Sequence, residues 1–242
     1  MCVLALAWRV HPNWRLVAVG NRDELHSRAS LPLARWRARG SVIGGRDMVG
    51  GGTWLGVNDD GRFAAVTNVR GELPPAGGKS RGALVTDMLA GHEPTDPEAY
   101  NPFNMIAVDE SGASYLSNRP EPVRRPLSAG IHGLSNGLLG TLWPKTLRVQ
   151  MALTAWLEAG SSNTTPLFAA LADERPAGAA ERYEPEPNEP VNSPVFIRNP
   201  VYGTRCSTVV TVDHLGRGRI EERRFASTGT LEGESALSFT WG

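Results

Sequence analysis

The sequence predicts an α+β protein, a four-layer αββα sandwich of antiparallel sheets. Two observations lead there. Short apolar strands recur between turn signals, and several are apolar on both faces, as in Val3-Leu4-Ala5-Leu6-Ala7 and Val209-Val210. Such strands suit a sheet covered by a second sheet on one side and by helices on the other. A third observation sets the proportion: helical periodicity appears in only three places.

Taken in order, residues 3–8 read as a strand, His11-Pro12-Asn13 as a turn, and residues 16–20 as the returning strand of a hairpin. Residues 54–57 and 63–67 bracket Asn58-Asp59-Asp60-Gly61, a second hairpin signal. Further strands are predicted over 104–108, 113–116, 131–135, 208–212, 219–225 and 237–240. The first helix covers 81–90, with Leu84, Val85, Met88 and Leu89 at helical spacing and Gly91 as its stop. The second runs from Pro144, which a first turn tolerates, along Leu147, Met151, Ala152, Ala155 and Trp156 to Gly160. A shorter one covers 166–172, with Thr164 and Thr165 as caps. Residues 176–200 are rich in Pro and Glu and read as a long exposed loop.

The chain has 242 residues, 40% of them hydrophobic, and reads as a single domain over 1–242. Its 25 basic and 25 acidic residues cancel, so no global field favours nucleic acid or an anionic membrane. No apolar run approaches the ~20 residues of a membrane span. The apolar start lacks a basic n-region and ends at Arg9, so it reads as a strand rather than a secretory leader. With only Cys2 and Cys206, a reduced, cytoplasmic protein is expected. The five histidines have no metal spacing and two cysteines cannot build a thiolate zinc site. Gly44-Gly45 and Gly50-Gly51-Gly52 lack the Gly-Lys-Ser/Thr of a phosphate loop. No cofactor is expected.

Cys2 carries the first chemical signal. Methionine aminopeptidases remove Met1 when the next side chain is small, which would leave one residue bearing both a thiol and a free α-amine. The ordinary pKa values, about 7.7–8.0 for the amine and about 8.5 for the thiol, let the amine act as base for its own side chain. The plain alternative is a small buried hydrophobe opening a strand. The hairpin adds weight by returning Asn21-Arg22-Asp23-Glu24 close to Cys2. There a carboxylate can orient the amine, and an arginine can hold a thiolate or an anionic group. Asn68 and Asn136 each close an apolar strand, and a side-chain amide held there can donate to an oxyanion. Either asparagine alone reads equally well as a turn residue. Arg205 lies within a strand, where a buried guanidinium needs partners. Cys206 follows it, so alternation turns Cys206 to the opposite face, in the core. Trp54 reads as a core aromatic before a pocket wall.

Cys2, Asn21-Arg22-Asp23-Glu24, Gly51-Gly52-Thr53-Trp54-Leu55-Gly56 and Ala65-Val66-Thr67-Asn68 resemble the NRDE family of the transport-and-Golgi-organisation proteins. The resemblance continues through Ser80-Arg81-Gly82, Asn101-Pro102-Phe103-Asn104, Gly133-Leu134-Ser135-Asn136 and Tyr202-Gly203-Thr204-Arg205, nearly the whole chain. The order of polar residues is also similar to that of choloylglycine hydrolases and penicillin V acylases, which are cysteine N-terminal-nucleophile enzymes. This resemblance implies an Ntn-hydrolase-like sandwich with Cys2 as nucleophile. It implies Asn68 as an oxyanion donor, Asn136 as a second active-site asparagine and Arg205 as an arginine near the nucleophile. Arg22 and Asp23 correspond to the acylases' arginine and aspartate in approximate register, which leaves open whether Asp23 or Glu24 faces the amine. Two functions follow. One is a hydrolase or acyltransferase of a non-peptide amide, ester or thioester, related to lipid or acyl-CoA metabolism. The other is a non-catalytic carrier of a hydrophobic ligand such as haem or lipid.

Overall fold

A computed structural model describes residues 2–36, 41–141, 143–176 and 193–242. The strands are β1 (Cys2–Trp8), β2 (Trp14–Leu25), β3 (Ser30–Arg35), β4 (Ile43–Asp47), β5 (Leu55–Val57), β6 (Phe63–Asn68), β7 (Phe103–Asp109), β8 (Gly112–Ser117), β9 (Val123–Leu127), β10 (Gly130–Leu134), β11 (Tyr202–Asp213), β12 (Arg217–Phe225) and β13 (Leu231–Thr240). The helices are α1 (Arg81–Leu89), α2 (Pro144–Glu158) and α3 (Thr165–Leu171). Six strands form one sheet in the order β10-β1-β2-β11-β12-β13, and seven form the other in the order β3-β4-β5-β6-β7-β8-β9. Every strand pairing within them is antiparallel.

The period of two along each strand decides the layers. In β1 and β2, Leu4, Leu6, Trp8, Leu16 and Ala18 pack against Leu55, Phe63, Ala65, Ile106 and Tyr115 of the second sheet. The intervening Val3, Ala5, Val17 and Val19 pack against Val149, Leu153 and Trp156 of α2 and Leu167 and Leu171 of α3. The second sheet repeats the device: Ala64, Val66, Met105 and Ala107 lie under Leu84, Val85, Met88 and Leu89 of α1. Helices, sheet, sheet and helix therefore stack as the expected αββα sandwich. Full burial of one such Leu or Val side chain stabilises by about 1.5–3 kcal/mol, so both faces of each sheet contribute to the core.

The differences from the sequence-based elements have local causes. β3, β4 and β9 were not expected. β3 and β9 are edge strands with mostly exposed side chains, so neither shows an apolar alternation. Thr164 does not cap α3 with its side chain, because its hydroxyl donates to Glu221 Oε1 at 3.0 Å. Residues 177–192, most of the Pro- and Glu-rich stretch read as a loop, lie outside the described residues. Among the described residues, no helix is long and apolar enough to cross a membrane.

Candidate functional site

Several element ends meet at one end of the sandwich. β1 begins there, β2, β6 and β10 finish there, and β11 and α1 start there. Cys2 pairs with Arg22 across the β1–β2 hairpin, and Arg22 pairs with Cys206 on β11. The three side chains thus form one row on the face of the sheet that looks toward the other sheet. Both cysteines are free and buried. Cys2 opens onto a cavity of about 350 Å³ whose lining includes Arg22, Asp23, Glu24, Trp54, Asn68 and Arg81.

Each of these side chains is held. Arg22 is 9% exposed, and its Nη1 has no hydrogen-bond partner among the described residues. Its Nη2 lies 3.9 Å from Glu24 Oε2. Asp23 is 3% exposed and accepts a hydrogen bond from Thr204 Oγ1 at 2.7 Å. Burial raises the Asp23 carboxyl above its ordinary range, with the Lys145 charge, the Thr204 hydroxyl and the Arg22 charge opposing. Arg28 is tied to Asp47 at 2.6 Å. Arg81, in the first turn of α1, reaches the Pro102 carbonyl at 3.3 Å. Burial pulls its guanidinium below the ordinary arginine value, while the charges of Cys2 and Glu24 work the other way.

Asn68 is fixed from behind. The Asn136 Nδ2 group donates both to the Asn68 backbone carbonyl at 3.0 Å and to Asn68 Oδ1 at 2.7 Å. With its oxygen engaged as acceptor, the Asn68 amide has its own Nδ2 left to donate elsewhere. Asn136 is fully buried. The neighbouring Ser135 hydroxyl donates to the Cys2 carbonyl at 2.7 Å, and the Ser135 carbonyl accepts from the Thr67 hydroxyl. The Ser135-Asn136 segment therefore joins the start of β1 in one sheet to the end of β6 in the other, setting Cys2 relative to Asn68.

Glycine makes the opposite wall. A Cβ on Gly52 would stand 2.0 Å from the Gly82 carbonyl carbon, so the loop before Thr53 and Trp54 rests directly on the backbone of α1. That contact brings Trp54 and Arg81 to the same cavity. Trp54, expected in the core, does both jobs: it packs partly buried against the inter-sheet core and lines the cavity.

Of the residues singled out from sequence, Cys2, Arg22, Asp23 and Asn68 line one cavity, and Asn136 stands directly behind Asn68. Arg205 does not line it. A β-bulge between Thr204 and Cys206 interrupts the register with β2, and Arg205 Nη1 donates to the His26 carbonyl at 2.7 Å and weakly to Leu25. The bulge also cancels the expected alternation, since Arg205 and Cys206 both line a second, smaller cavity with Arg22 and Glu222. Asn21 points to the helix side, where its amide donates to the carbonyls of Leu171 and Val195 at 2.8 and 2.9 Å. Arg28, Asp47, Arg81 and Tyr202 also line the first cavity without having been singled out. The Ser80-Arg81-Gly82 run carried a usable signal, a helix N-cap followed by a charged residue.

A model of the Transport and Golgi organisation 2 family matches residues 1–227. The chain belongs to that family. It is 33% identical over 259 aligned positions to the Transport and Golgi organization protein 2 homolog of Homo sapiens, covering 92% of each chain. It is 27% identical over 249 positions to the Transport and Golgi organization protein 2 of Drosophila melanogaster, covering 88% of each. Among solved structures it is similar to the N-acylethanolamine-hydrolyzing acid amidase ortholog of Caenorhabditis elegans, with a TM-score of 0.49 and 13% identity over 86% of this chain and 91% of that one.

Proposed function

We propose that this family member is a cysteine N-terminal-nucleophile hydrolase or acyltransferase, acting on a non-peptide amide, ester or thioester from Cys2 of a chain that has lost Met1. The observation that carries the reading is a thiol facing a cavity beside Arg22 and Asp23, with Asn68 in the same cavity as an amide whose oxygen is already engaged. In the first step the thiol proton passes to the α-amine of Cys2, and the sulfur bonds to the substrate's carbonyl carbon. The carbonyl π electrons move to oxygen, where Asn68 Nδ2 donates to the new oxyanion. The tetrahedral centre collapses with cleavage of the bond to the leaving group, which takes the amine's proton. Water, or an acceptor alcohol, amine or thiol, then attacks the acyl thioester by the reverse proton path and frees the sulfur. Asp23, buried and fixed by Thr204, orients the amine. Glu24 is taken up by Arg22 and Arg28 and by its hydrogen bond from the Leu25 amide, which supports Asp23 for that role. Arg22, opposite Cys2, steadies the thiolate.

The ring of Arg22, Asp23, Glu24, Arg28, Asp47 and Arg81 around the cavity argues against a carrier of haem or bare lipid, whose site would be chiefly apolar. The substrate's acyl part is consistent with lipid or acyl-CoA metabolism. Incubation of the Met1-free chain with acyl-thioester and N-acyl probes, followed by intact mass, tests the reading. An acyl adduct on Cys2 that decays with turnover is expected, and acetylation of the α-amine should prevent it. Ligand retention without any adduct, and indifferent to amine blocking, would make the chain a carrier.

A further inference from the structure

Among the 25 basic residues only Lys79 and Lys145 are lysine. Lys79 lies near the Tyr100 ring. Lys145 occupies the first turn of α2, is 1% exposed, and its Nζ has no hydrogen-bond partner among the described residues. The Trp143 ring lies 5.7 Å away. A dehydrated ammonium is costly to keep unless an opposite charge compensates it. The fold supplies one on the helix-covered face of the first sheet. α2 rests on that face so closely that a Cβ on Gly133 of β10 would stand 2.4 Å from Thr146. Asp23 belongs to the same face as Asn21, and the Lys145 charge is the largest electrostatic influence opposing its burial.

We propose that Lys145 is a positioning residue for proton transfer at Cys2: its buried charge, on the helix laid over the sheet face that carries Asp23, offsets the Asp23 carboxylate without contacting it, and that balance leaves the α-amine free to accept the thiol proton. The inference rests on the nucleophile reading above. A buried carboxylate facing the amine without a counter-charge would hold it as an ammonium, which has no lone pair for the thiol proton. With Lys145 opposite, the carboxylate still orients the amine but no longer retains its proton. Of the other charges around the site, Arg22 acts on Asp23 more weakly than Lys145 does and lies beside Glu24, Arg28 is engaged by Asp47, and Arg81 lies on α1.

The test is the rate of Cys2 alkylation by iodoacetamide as a function of pH, read by peptide mapping on the Met1-free chain. Lys145→Met should raise the pH of half-maximal labelling by about one unit or more, with the alkaline plateau within about twofold of the parent. Lys145→Arg should bring the profile back. In an Asp23→Asn background, whatever the profile of that single variant, Lys145→Met should move the midpoint by less than about half a unit, because the charge it offsets is gone. If Lys145→Met alone fails to fold, a double variant that folds and shares the profile of Asp23→Asn carries the same conclusion. A Lys145→Met profile superimposed on the parent, or lowered by one factor at every pH as a packing defect would do, overturns the proposal. So does a shift on adding Lys145→Met to Asp23→Asn that is as large as the shift in the parent. If parental Cys2 reacts no faster than Cys206 at any pH, the nucleophile reading has failed instead.

Discussion

Cys2→Ala is expected to abolish turnover of every acyl substrate the protein accepts, leaving only the uncatalysed rate. The alanine keeps the α-amine, the β1 hydrogen bonds and the Ser135 contact to the residue 2 carbonyl, and removes only the sulfur that forms the acyl intermediate. Because the lost group is small and at the edge of a cavity, the stability cost should be about 1 kcal/mol or less. A denaturant midpoint close to the parent's, combined with absent turnover, separates chemistry from folding. Cys2→Ser should retain slow turnover, since the amine survives but must take its proton from a weaker acid. Undiminished turnover in Cys2→Ala would remove Cys2 from the mechanism.

Asn68→Ala should lower kcat by about 10²–10³ with little change in KM, the signature of a donor that acts on the oxyanion and hardly on the ground state. Asn136→Asp tests the same feature from behind. Its carboxylate would set an oxygen against Asn68 Oδ1, where Nδ2 now donates at 2.7 Å. The Asn68 amide would then turn over and offer its oxygen to the cavity. The expected result is a kcat loss of the same order as in Asn68→Ala, and a double variant no worse than either single one. Steady-state kinetics on any substrate found with the acyl probes reads both. Additive losses in the double variant would mean that the two asparagines act separately.

The inner strands were legible in the sequence because burial on both faces leaves an unbroken apolar run, as in β1 and the middle of β11. The hairpin logic also brought Asn21-Arg22-Asp23-Glu24 close to Cys2, with the structure setting Arg22 opposite it, and the closing asparagines of apolar strands proved to be bonded to each other. What escaped notice was set by long-range packing. β3 and β9 are edge strands with exposed side chains, including Arg124-Arg125-Pro126, so their order comes from one neighbour rather than from a periodic pattern. The position of Arg205 depends on a bulge, which inserts a residue without any mark in composition. Lys145 simply follows a helix-starting proline, and nothing in that local sequence marks it for burial. Its burial follows from how α2 lies on β10, a contact permitted by a glycine more than ten residues earlier.

The contrast between the two cysteines tests the central claim most directly. Cys206 is buried, and burial together with the Glu222 carboxylate pushes its thiol well above the ordinary value, so it should stay protonated at neutral pH. Cys2 sits two strands away, on the other side of Arg22, and opens onto the cavity lined by Asp23 and Asn68. A limiting dose of an alkylating probe on the native, Met1-free chain, followed by peptide mapping, compares them in one sample without knowledge of the natural substrate. The account predicts that Cys2 is labelled first and nearly alone, with Cys206 reacting only after unfolding. Equal and slow labelling of both cysteines in the folded chain would contradict it.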